Sequence, residues 1–329
     1  MKKKNLLIIT PIFSKRDFFV KAKKYFNILY KPEISPNYFK KIIKKFDYLF
    51  TNPNKTKIFL GYENLNRSKL KAICTASTGT THIDKNFIKK KKIKLISITK
   101  EQKLLKQLTS TSELAFGLTL DAIRNISNSS ISVKNDKWNY EPFIGRMMKN
   151  LKILIVGYGR LGKIYSKYAL AFGCEVYVYD PYVEIKSLKL KNVKKFEKII
   201  PLIDILVLHI HADKVNYNFL NKKIFKLMKK EVIIINTSRG EIVNEFDLLN
   251  FLKKNLNAKY FADVVSEEIN YKKNKLIKYS KKSDQILITP HIGGMTIEGQ
   301  NIAYNHALNL LINFNINEKI KKIKFVHNI

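Results

Sequence analysis

The chain has 329 residues, which is enough for two domains that each bury their own hydrophobic core. Hydrophobic residues make up 45% of the sequence, which argues against disorder, and no apolar run is long enough for a transmembrane helix. The formal net charge is +36, but the 62 lysines and arginines are spread along the whole chain, which indicates a solvated basic surface rather than a nucleic-acid-binding domain.

The N-terminal residues have the order of a short signal peptide, with three lysines before an apolar stretch. The stretch is brief, contains Thr10 and Pro11, and lacks a small-residue cleavage pattern, so we interpret residues 6–12 as a first β-strand. The two cysteines, Cys74 and Cys174, have no paired spacing and predict buried thiols in a reducing compartment. We therefore expect a cytoplasmic protein without membrane association.

Short apolar runs alternate with lysine-rich helical stretches through the first third of the chain, as in a small βαβ domain. The further strands predicted here are residues 26–30, 48–51, 57–60, 72–76 and 94–98. The helices predicted between them are residues 18–25, 38–46 and 83–89. A long helix is predicted at about residues 111–126, and the polar residues 127–136 are predicted to form a connection together with Trp138.

The most informative motif is a glycine-rich turn that lies between a strand and a helix and is followed by a second strand and an acidic residue. The predicted elements are the strand 151–156, the turn 157–162, the helix 163–172, the strand 175–179 and Asp180. This order and spacing predict a dinucleotide-binding unit whose pyrophosphate lies at the helix N-terminus.

Each residue type in this motif has a physical task. Gly157 permits the tight turn, Gly159 lets the backbone approach a pyrophosphate, and Gly162 lets the helix pack closely on the strand. Asp180 can accept hydrogen bonds from both ribose hydroxyls and would repel a 2′-phosphate. The motif therefore predicts NAD rather than NADP as the cofactor.

Four more apolar runs predict the remaining strands of a parallel sheet that is buried on both faces. They are residues 203–209, 231–235, 258–264 and 285–288. An amphipathic helix is predicted at residues 297–314, and a strand or extended arm at residues 319–329.

Polar residues follow three of these strands directly. Arg239 follows the strand 231–235, Glu268 follows the strand 258–264, and His291 follows the strand 285–288. Because an open parallel sheet binds its ligand at the carboxyl ends of the strands, we expect these side chains to converge near a nicotinamide. Each residue alone also fits a structural role, as a surface ion-pair partner, a solvated carboxylate or a turn residue, but the ordered set favours a catalytic site.

The chain resembles the D-isomer-specific 2-hydroxyacid dehydrogenase family, which includes phosphoglycerate dehydrogenases. The resemblance covers nearly the whole length and rests on four motifs in the family's order. They are Thr-Gly-Thr-Thr-His-Ile-Asp at residues 78–84, Ser-Glu-Leu-Ala at residues 112–115, the glycine turn, and the three strand-end segments.

The resemblance implies an α/β fold with two domains. One is a Rossmann domain with a doubly wound parallel sheet, and the other is a smaller, flavodoxin-like α/β substrate domain that is discontinuous in sequence. We expect the substrate domain at residues 1–115 and 296–329 and the NAD-binding domain at residues 116–295.

The family also implies roles that the chemistry of the reaction requires. Arg239 would hold the substrate carboxylate, His291 would act as general acid and base, and Glu268 would hydrogen-bond the imidazole. The implied cofactor-binding residues are Gly157, Gly159, Arg160, Leu161, Gly162, Asp180, His209, Thr237, Ser238, Asp263, Gly293 and Gly294. The implied substrate-binding residues are Ser77, Thr78 and Gly79. Hydride transfer needs no metal, and no ligand cluster is visible in the sequence.

The identity of the small anionic substrate stays open at this point. Residues 51–55 lack the clustered arginines that phosphoglycerate enzymes tend to carry, and Ile269 stands where the family usually has proline. D-Lactate, glyoxylate or hydroxypyruvate, 3-phosphoglycerate and a sugar acid all remain candidates. With no further domain after residue 329, we expect no feedback by serine.

Three alternatives accompany this interpretation. The chain could be a catalytically weak NAD-sensing protein of the same fold, or a nucleic-acid-binding protein driven by its charge. His209 and His211 suggest a metal or catalytic pair, but we interpret His209 as a residue that lines the cofactor cleft.

The family implies a homodimer, with residues 138–149 as the exchanged arm.

Overall fold

The computed structural model describes residues 3–13, 15–53 and 58–327, and the chain forms two compact units. The first unit comprises Met1–Leu108 and Thr296–Ile329, and the second comprises Thr109–Met295. Each unit contains a parallel β-sheet with helices, which confirms the predicted α/β class.

The strands of the described residues are, in chain order, β1 (Lys4–Ile8), β2 (Phe26–Tyr30), β3 (Tyr48–Thr51), β4 (Ala72–Thr75), β5 (Lys94–Ser97), β6 (Lys152–Val156), β7 (Glu175–Tyr179), β8 (Lys191–Asn192), β9 (Ile205–Leu208), β10 (Ile233–Asn236), β11 (Lys259–Ala262) and β12 (Ile286–Ile288). The α-helices are α1 (Lys15–Tyr25), α2 (Pro36–Ile42), α3 (Tyr62–Leu65), α4 (Lys85–Lys90), α5 (Gln102–Leu105), α6 (Ser110–Arg124), α7 (Ile126–Lys134), α8 (Arg160–Ala171), α9 (Phe196–Ile199), α10 (Lys222–Phe225), α11 (Glu245–Lys254), α12 (Lys275–Ser280) and α13 (Ile297–His327).

The sheet of the first unit has the order β2-β1-β3-β4-β5 within the described residues. Its central strands are buried on both faces, because alternate side chains belong to different hydrophobic clusters. Leu6 and Ile8 point to one cluster, whereas Leu7 and Ile9 point to the other. Helix α13 covers one of these faces, so the C-terminal segment completes the core that the N-terminal segment begins.

The sheet of the second unit has the order β12-β11-β10-β9-β6-β7-β8 across the part of the chain that is described. The chain starts in β6, adds β7 on one side and then continues through β9 on the other side. The strand order therefore reverses between β6 and β9, and this switch point is where an open α/β sheet binds its ligand. This doubly wound arrangement is the one predicted from the sequence.

The polar residues 127–136, which are predicted only as a connection after the long helix, are largely helical. Asn125 adopts a left-handed conformation with φ 54° and turns the chain between α6 and α7. The carboxylate of Asp121 then accepts a hydrogen bond from Ser127 N at 2.8 Å and another from the Ser127 hydroxyl. A residue of the preceding helix thus satisfies donors at the start of α7, which the polar sequence pattern does not reveal.

Two predicted strands are also wrong. Within the described residues, Leu60 forms only an isolated bridge with Ile83 and belongs to no strand. The C-terminal residues continue α13 as far as His327, because no glycine or proline follows Phe314 to end the helix. Residues 54–57, 328 and 329, which belong to segments discussed above, lie outside the described residues. No helix among the described residues is long and apolar enough to cross a membrane.

Candidate active site

The glycine turn after β6 has the geometry that a phosphate-binding loop needs. Gly157 has φ +94°, and a Cβ there would lie 2.5 Å from the carbonyl oxygen of His209. A Cβ on Gly162 would lie 2.0 Å from the carbonyl oxygen of Gly157, so glycine alone permits α8 to start this close to the strand. A Cβ on Gly159 would meet no described atom within 4 Å, so the turn is open on the side where a ligand would approach.

The N-terminus of α8 points its backbone donors at this open side. Gly159 is the N-cap residue, and among the described residues no side chain caps the first turn. The carbonyl of Leu161 is fixed by the hydroxyl of Ser112, which donates to it at 3.0 Å. Arg160 is half-buried beside the turn, and this burial lowers its pKa. Uncapped amides, the helix dipole and a guanidinium together suit a pyrophosphate.

The carboxylate of Asp180 is held in place at the end of β7. One oxygen accepts a hydrogen bond from Tyr158 N at 2.7 Å, and the other accepts one from Tyr182 N at 2.9 Å. Each carboxylate oxygen can still accept a further hydrogen bond. Asp180 is therefore oriented by the backbone, and its contact with ribose hydroxyls stays a prediction.

Two side chains at the ends of β9 and β10 have buried polar atoms that lack a partner. Within the described residues, neither ring nitrogen of His209 has a hydrogen-bond partner, and the Thr237 hydroxyl has none either. The His209 ring packs against Tyr165, with the centroids 5.5 Å apart. Burial, with a smaller contribution from the charge of Arg160, lowers the pKa of His209 to about 3, so the ring is neutral near pH 7. Such unsatisfied atoms fit a site that a bound polar molecule completes.

Arg239 lies in a short turn that its neighbours fix from both sides. The Ser238 hydroxyl donates to the carbonyl of Leu208 at 2.7 Å and joins this turn to β9. Asn236 Nδ2 donates to the carbonyl of Arg239 at 2.9 Å, and Arg239 Nη1 donates to the carbonyl of Ser238 at 2.6 Å. The guanidinium is only partly buried, so donors remain for a carboxylate.

His291 and Glu268 form the pair that the sequence predicts. His291 Nδ1 lies 2.8 Å from Glu268 Oε2, and each side chain is 40% exposed. His291 has φ 57°, a left-handed conformation that is uncommon outside glycine and that turns the loop sharply after Pro290. Because the carboxylate engages Nδ1, Nε2 is the ring nitrogen that can face a reacting group.

Asp263 organises the backbone around His291. It is 1% exposed, and its carboxylate accepts hydrogen bonds from the Thr289 hydroxyl and from the amides of Ile292 and Gly293, the last two at 2.7 Å. Burial raises its pKa above the ordinary value, while these hydrogen bonds and nearby His291 act in the opposite direction. A direct contact between Asp263 and a cofactor stays a prediction.

The loop of the first unit that follows β4 contains the predicted substrate-binding residues. The Ser77 hydroxyl donates to the carbonyl of Gly79, and the Thr99 hydroxyl donates to the carbonyl of Thr78 at 3.2 Å. Hydrogen bonds therefore fix the shape of this loop, and a contact of its backbone with a substrate stays a prediction.

One supporting residue has no signal in the sequence. The Thr111 hydroxyl donates to the carbonyl of Gly293 at 3.1 Å, so the start of α6 holds the loop that carries His291. A Cβ on Gly293 would lie 3.0 Å from Asp263 Oδ2 and 3.2 Å from Thr111 Cγ2, so there is little room for a side chain at this position. These contacts join segments that are remote in sequence.

In the described part of the chain, no group of three or more histidine, cysteine, aspartate or glutamate side chains could hold a metal ion.

Comparison with known proteins agrees with this geometry. Residues 116–293, more than half of the chain, match the family described as D-isomer specific 2-hydroxyacid dehydrogenase, NAD binding domain. Glyoxylate reductase from Thermococcus litoralis is 31% identical over 246 residues, which cover 71% of this chain and 71% of that enzyme. D-3-Phosphoglycerate dehydrogenase from Bacillus subtilis is 31% identical over 235 residues, or 71% of this chain, but only 43% of that longer protein is spanned.

Solved structures show the same fold at lower identity. D-Lactate dehydrogenase from Aquifex aeolicus, complexed with NAD and lactic acid, superposes with a TM-score of 0.78 at 24% identity, over 97% of this chain and 98% of that one. The apo-structure of D-lactate dehydrogenase from Escherichia coli gives a TM-score of 0.80 at 19% identity, over 95% and 97% of the two chains. The family match, the Thermococcus relative and the motifs in place agree, and the chain belongs to the D-isomer-specific 2-hydroxyacid dehydrogenase family.

Proposed function

We propose that this chain is an NAD-dependent oxidoreductase that interconverts a D-2-hydroxy acid and its 2-keto acid. The observation that carries the proposal is the hydrogen bond between His291 Nδ1 and Glu268 Oε2, 2.8 Å long, in a domain of this family's NAD-binding type. In this proposal the second unit binds the cofactor, and Ser77, Thr78 and Gly79 bind the substrate.

The cofactor site fits NAD on the evidence of the chain's own residues. The open face at Gly159 and the uncapped start of α8 suit the pyrophosphate. The oriented Asp180 suits an unphosphorylated ribose, and the unsatisfied atoms of His209 and Thr237 suit the polar groups of a bound dinucleotide. NADH, when bound, supplies the hydride that reduces the keto carbon.

The protein supplies the proton and the orientation of the substrate. During reduction, His291 Nε2 would give its proton to the carbonyl oxygen as the C2–H bond forms, and it would take a proton back from the hydroxyl in oxidation. Glu268 on Nδ1 fixes the tautomer and stabilises the protonated ring. Arg239 would bind the substrate carboxylate through two parallel hydrogen bonds, which orients the carbonyl next to it.

The substrate class is a small 2-keto or 2-hydroxy acid. The names of similar proteins include D-3-phosphoglycerate dehydrogenase, hydroxypyruvate reductase and glyoxylate reductase, and the corresponding acids are the first to test. The lysine-rich surface would attract any of these anions without choosing among them.

Two buried free cysteines, Cys74 and Cys174, support a reducing compartment, and we propose the cytoplasm.

We also propose that the chain forms a homodimer through the segment that follows α7. Four large side chains there are largely exposed: Trp138 at 92%, Tyr140 at 80%, Ile144 at 77% and Met147 at 82%. An apolar group of this kind is typical of an interface. Light scattering should give twice the mass of one chain, and W138D combined with M147D should give a monomer, whereas the equally exposed L188D should not. A monomeric wild-type protein would reject this part of the proposal.

The activity is tested by following NADH oxidation at about 340 nm against a panel of 2-keto acids, with NADPH in parallel. We expect turnover with NADH and a loss of about 10²- to 10⁴-fold in H291N, which removes the general acid. H211N is the matched control, because His211 is an exposed histidine on another loop and its replacement should leave the rate unchanged.

A catalytically weak NAD-sensing protein is the second candidate. Cofactor binding without turnover on any keto acid would favour it. Failure to bind either nucleotide would reject both candidates.

A further inference from the structure

Glu245, the first residue of α11, links the two ends of the loop that carries Glu268. We call residues 266–274 the acid loop. Glu245 Oε1 accepts a hydrogen bond from Ser266 N at 2.7 Å, and Glu245 Oε2 accepts one from Asn274 Nδ2 at 2.7 Å. One carboxylate thus binds the first and the last residue of the acid loop.

The acid loop depends on these end contacts for its shape. Glu267 has φ 51°, and a 3₁₀ segment of Glu268–Lys273 follows it, with Asn270 departing from helical geometry. Asn274 donates to the carbonyl of Ser266 at 3.3 Å, and its side-chain oxygen accepts from the first amides of α12. The loop therefore closes on itself through Asn274, and Glu245 fastens that closure to α11.

The segment that carries Arg239 packs directly against the start of the acid loop. A Cβ on Gly240 would lie 2.0 Å from the carbonyl carbon of Val265 and 2.1 Å from Ser266 N. Only glycine permits this approach without displacing backbone. Because α11 follows the same segment, Arg239, Gly240 and Glu245 form one continuous support on which the acid loop rests.

The placement of Glu245 is costly unless its carboxylate is well bonded. Burial raises its pKa, and the charge of Glu241 adds to that effect, whereas the hydrogen bonds from Ser266 and Asn274 act in the opposite direction. A half-buried carboxylate that satisfies both ends of one loop is typical of a group that fixes geometry.

We propose that Glu245 is a positioning residue that holds the acid loop so that Glu268 stays hydrogen-bonded to His291. Its consequence for catalysis rests on the proposed function, but its effect on the histidine does not. Of the carboxylates around His291, Glu268 contacts the ring and Asp263 lies near it, and both side chains are still present in a variant at position 245.

The direct test is the NMR spectrum of the His291 ring nitrogens, in protein labelled with ¹⁵N at its histidines and kept at one fixed pH. The His291 signals are assigned by their loss in H291N, and E268A shows how far they move when the carboxylate on Nδ1 is removed. We expect the signals to move in E245A in the direction of E268A, because Glu268 is no longer held in contact with Nδ1. E241Q, a glutamate on the same segment whose side chain has no described bond to the acid loop, is the control and should match wild type.

The conservative variant E245Q should give an intermediate result. Its amide oxygen can accept from Ser266 N, but its NH₂ group would face the NH₂ group of Asn274, so one of the two contacts is lost. This variant also provides the answer if E245A fails to fold. Wild-type signals of the His291 ring nitrogens in E245Q and E245A, together with shifted signals in E268A, would overturn the proposal.

Kinetics separate this inference from the proposed function. We expect E245A to lower kcat by about 10- to 100-fold and to leave the KM for NADH unchanged. A wild-type protein without turnover would reject the proposed function, while the NMR spectrum of His291 would still decide the role of Glu245. An active enzyme whose kcat is the same in E245A and wild type would reject the role of Glu245 alone.

Discussion

Gly159 is the residue at which binding and folding can be tested separately. A Cβ there meets no described atom within 4 Å, whereas a Cβ on Gly162, in the same turn, would lie 2.0 Å from the carbonyl oxygen of Gly157. We expect G159A to fold like wild type but to bind NADH at least about tenfold more weakly, because a methyl group would stand where the pyrophosphate approaches. Fluorescence titration with NADH measures this affinity.

G162A is the matched comparison for this experiment. Its methyl group collides with backbone, so we expect a loss of about 1–3 kcal/mol in the free energy of unfolding, measured with urea. Wild-type affinity for NADH in G159A would contradict the assignment of this turn to the phosphates.

His209 gives stability a defined pH dependence. Burial lowers its pKa to about 3 in the folded chain, whereas an unfolded histidine titrates near 6.5. Between these values the unfolded state binds more protons, so the folded state loses stability as the pH falls through this window. We expect the free energy of unfolding of H209Q to depend less on pH across it than that of wild type, in cofactor-free protein. H211Q is the control, and equal slopes for H209Q and wild type would contradict the burial of this ring.

At the scale of elements, α7 depends on a residue of the helix before it. Asp121 accepts hydrogen bonds from the Ser127 amide and hydroxyl, so D121A should leave donors at the start of α7 without their acceptor. We expect a cost of about 1 kcal/mol, confined to this helix. Hydrogen exchange should become faster in residues 126–134 and stay unchanged in α8. Unchanged exchange in α7 would show that the contact does not support it.

The same helix shows where sequence patterns stop being informative. The strands at residues 26–30, 48–51 and 175–179 were predictable to the residue, because their apolar runs are a local feature of the sequence. Helix α7 was not, since its polar sequence lacks a periodic apolar face and its start is completed by Asp121. The glycine turn could also be predicted, because its chemistry is local.

In the candidate site, too, some residues could be predicted from the sequence and others could not. The types and order of Arg239, Glu268 and His291 were readable from the sequence, but their supports were not. Glu245 contacts Ser266 and Asn274 across 21 and 29 residues of sequence. No local pattern records such a contact, so it required the structure.

We propose that, of the two units of the molecule, the second alone binds the cofactor. NAD bound at a concentration of about 100 times its Kd should add about 2.7 kcal/mol to the free energy of unfolding of the unit that binds it. We therefore expect NAD to slow hydrogen exchange around the glycine turn and the ends of β9 and β10. The helices α1 and α2 of the first unit provide the internal reference. Equal protection in α1 and α2 and at the glycine turn would contradict this assignment.

The most direct test of the central claim is the transfer of deuterium to a 2-keto acid from NADH that carries deuterium at both C4 positions of the nicotinamide. The product is analysed by chiral chromatography and mass spectrometry. Our account predicts that the wild-type protein forms a D-2-hydroxy acid with one deuterium at C2. In H291N the rate of its formation should fall by about 10²- to 10⁴-fold. An L product, a product without deuterium, or an undiminished rate in H291N would contradict it.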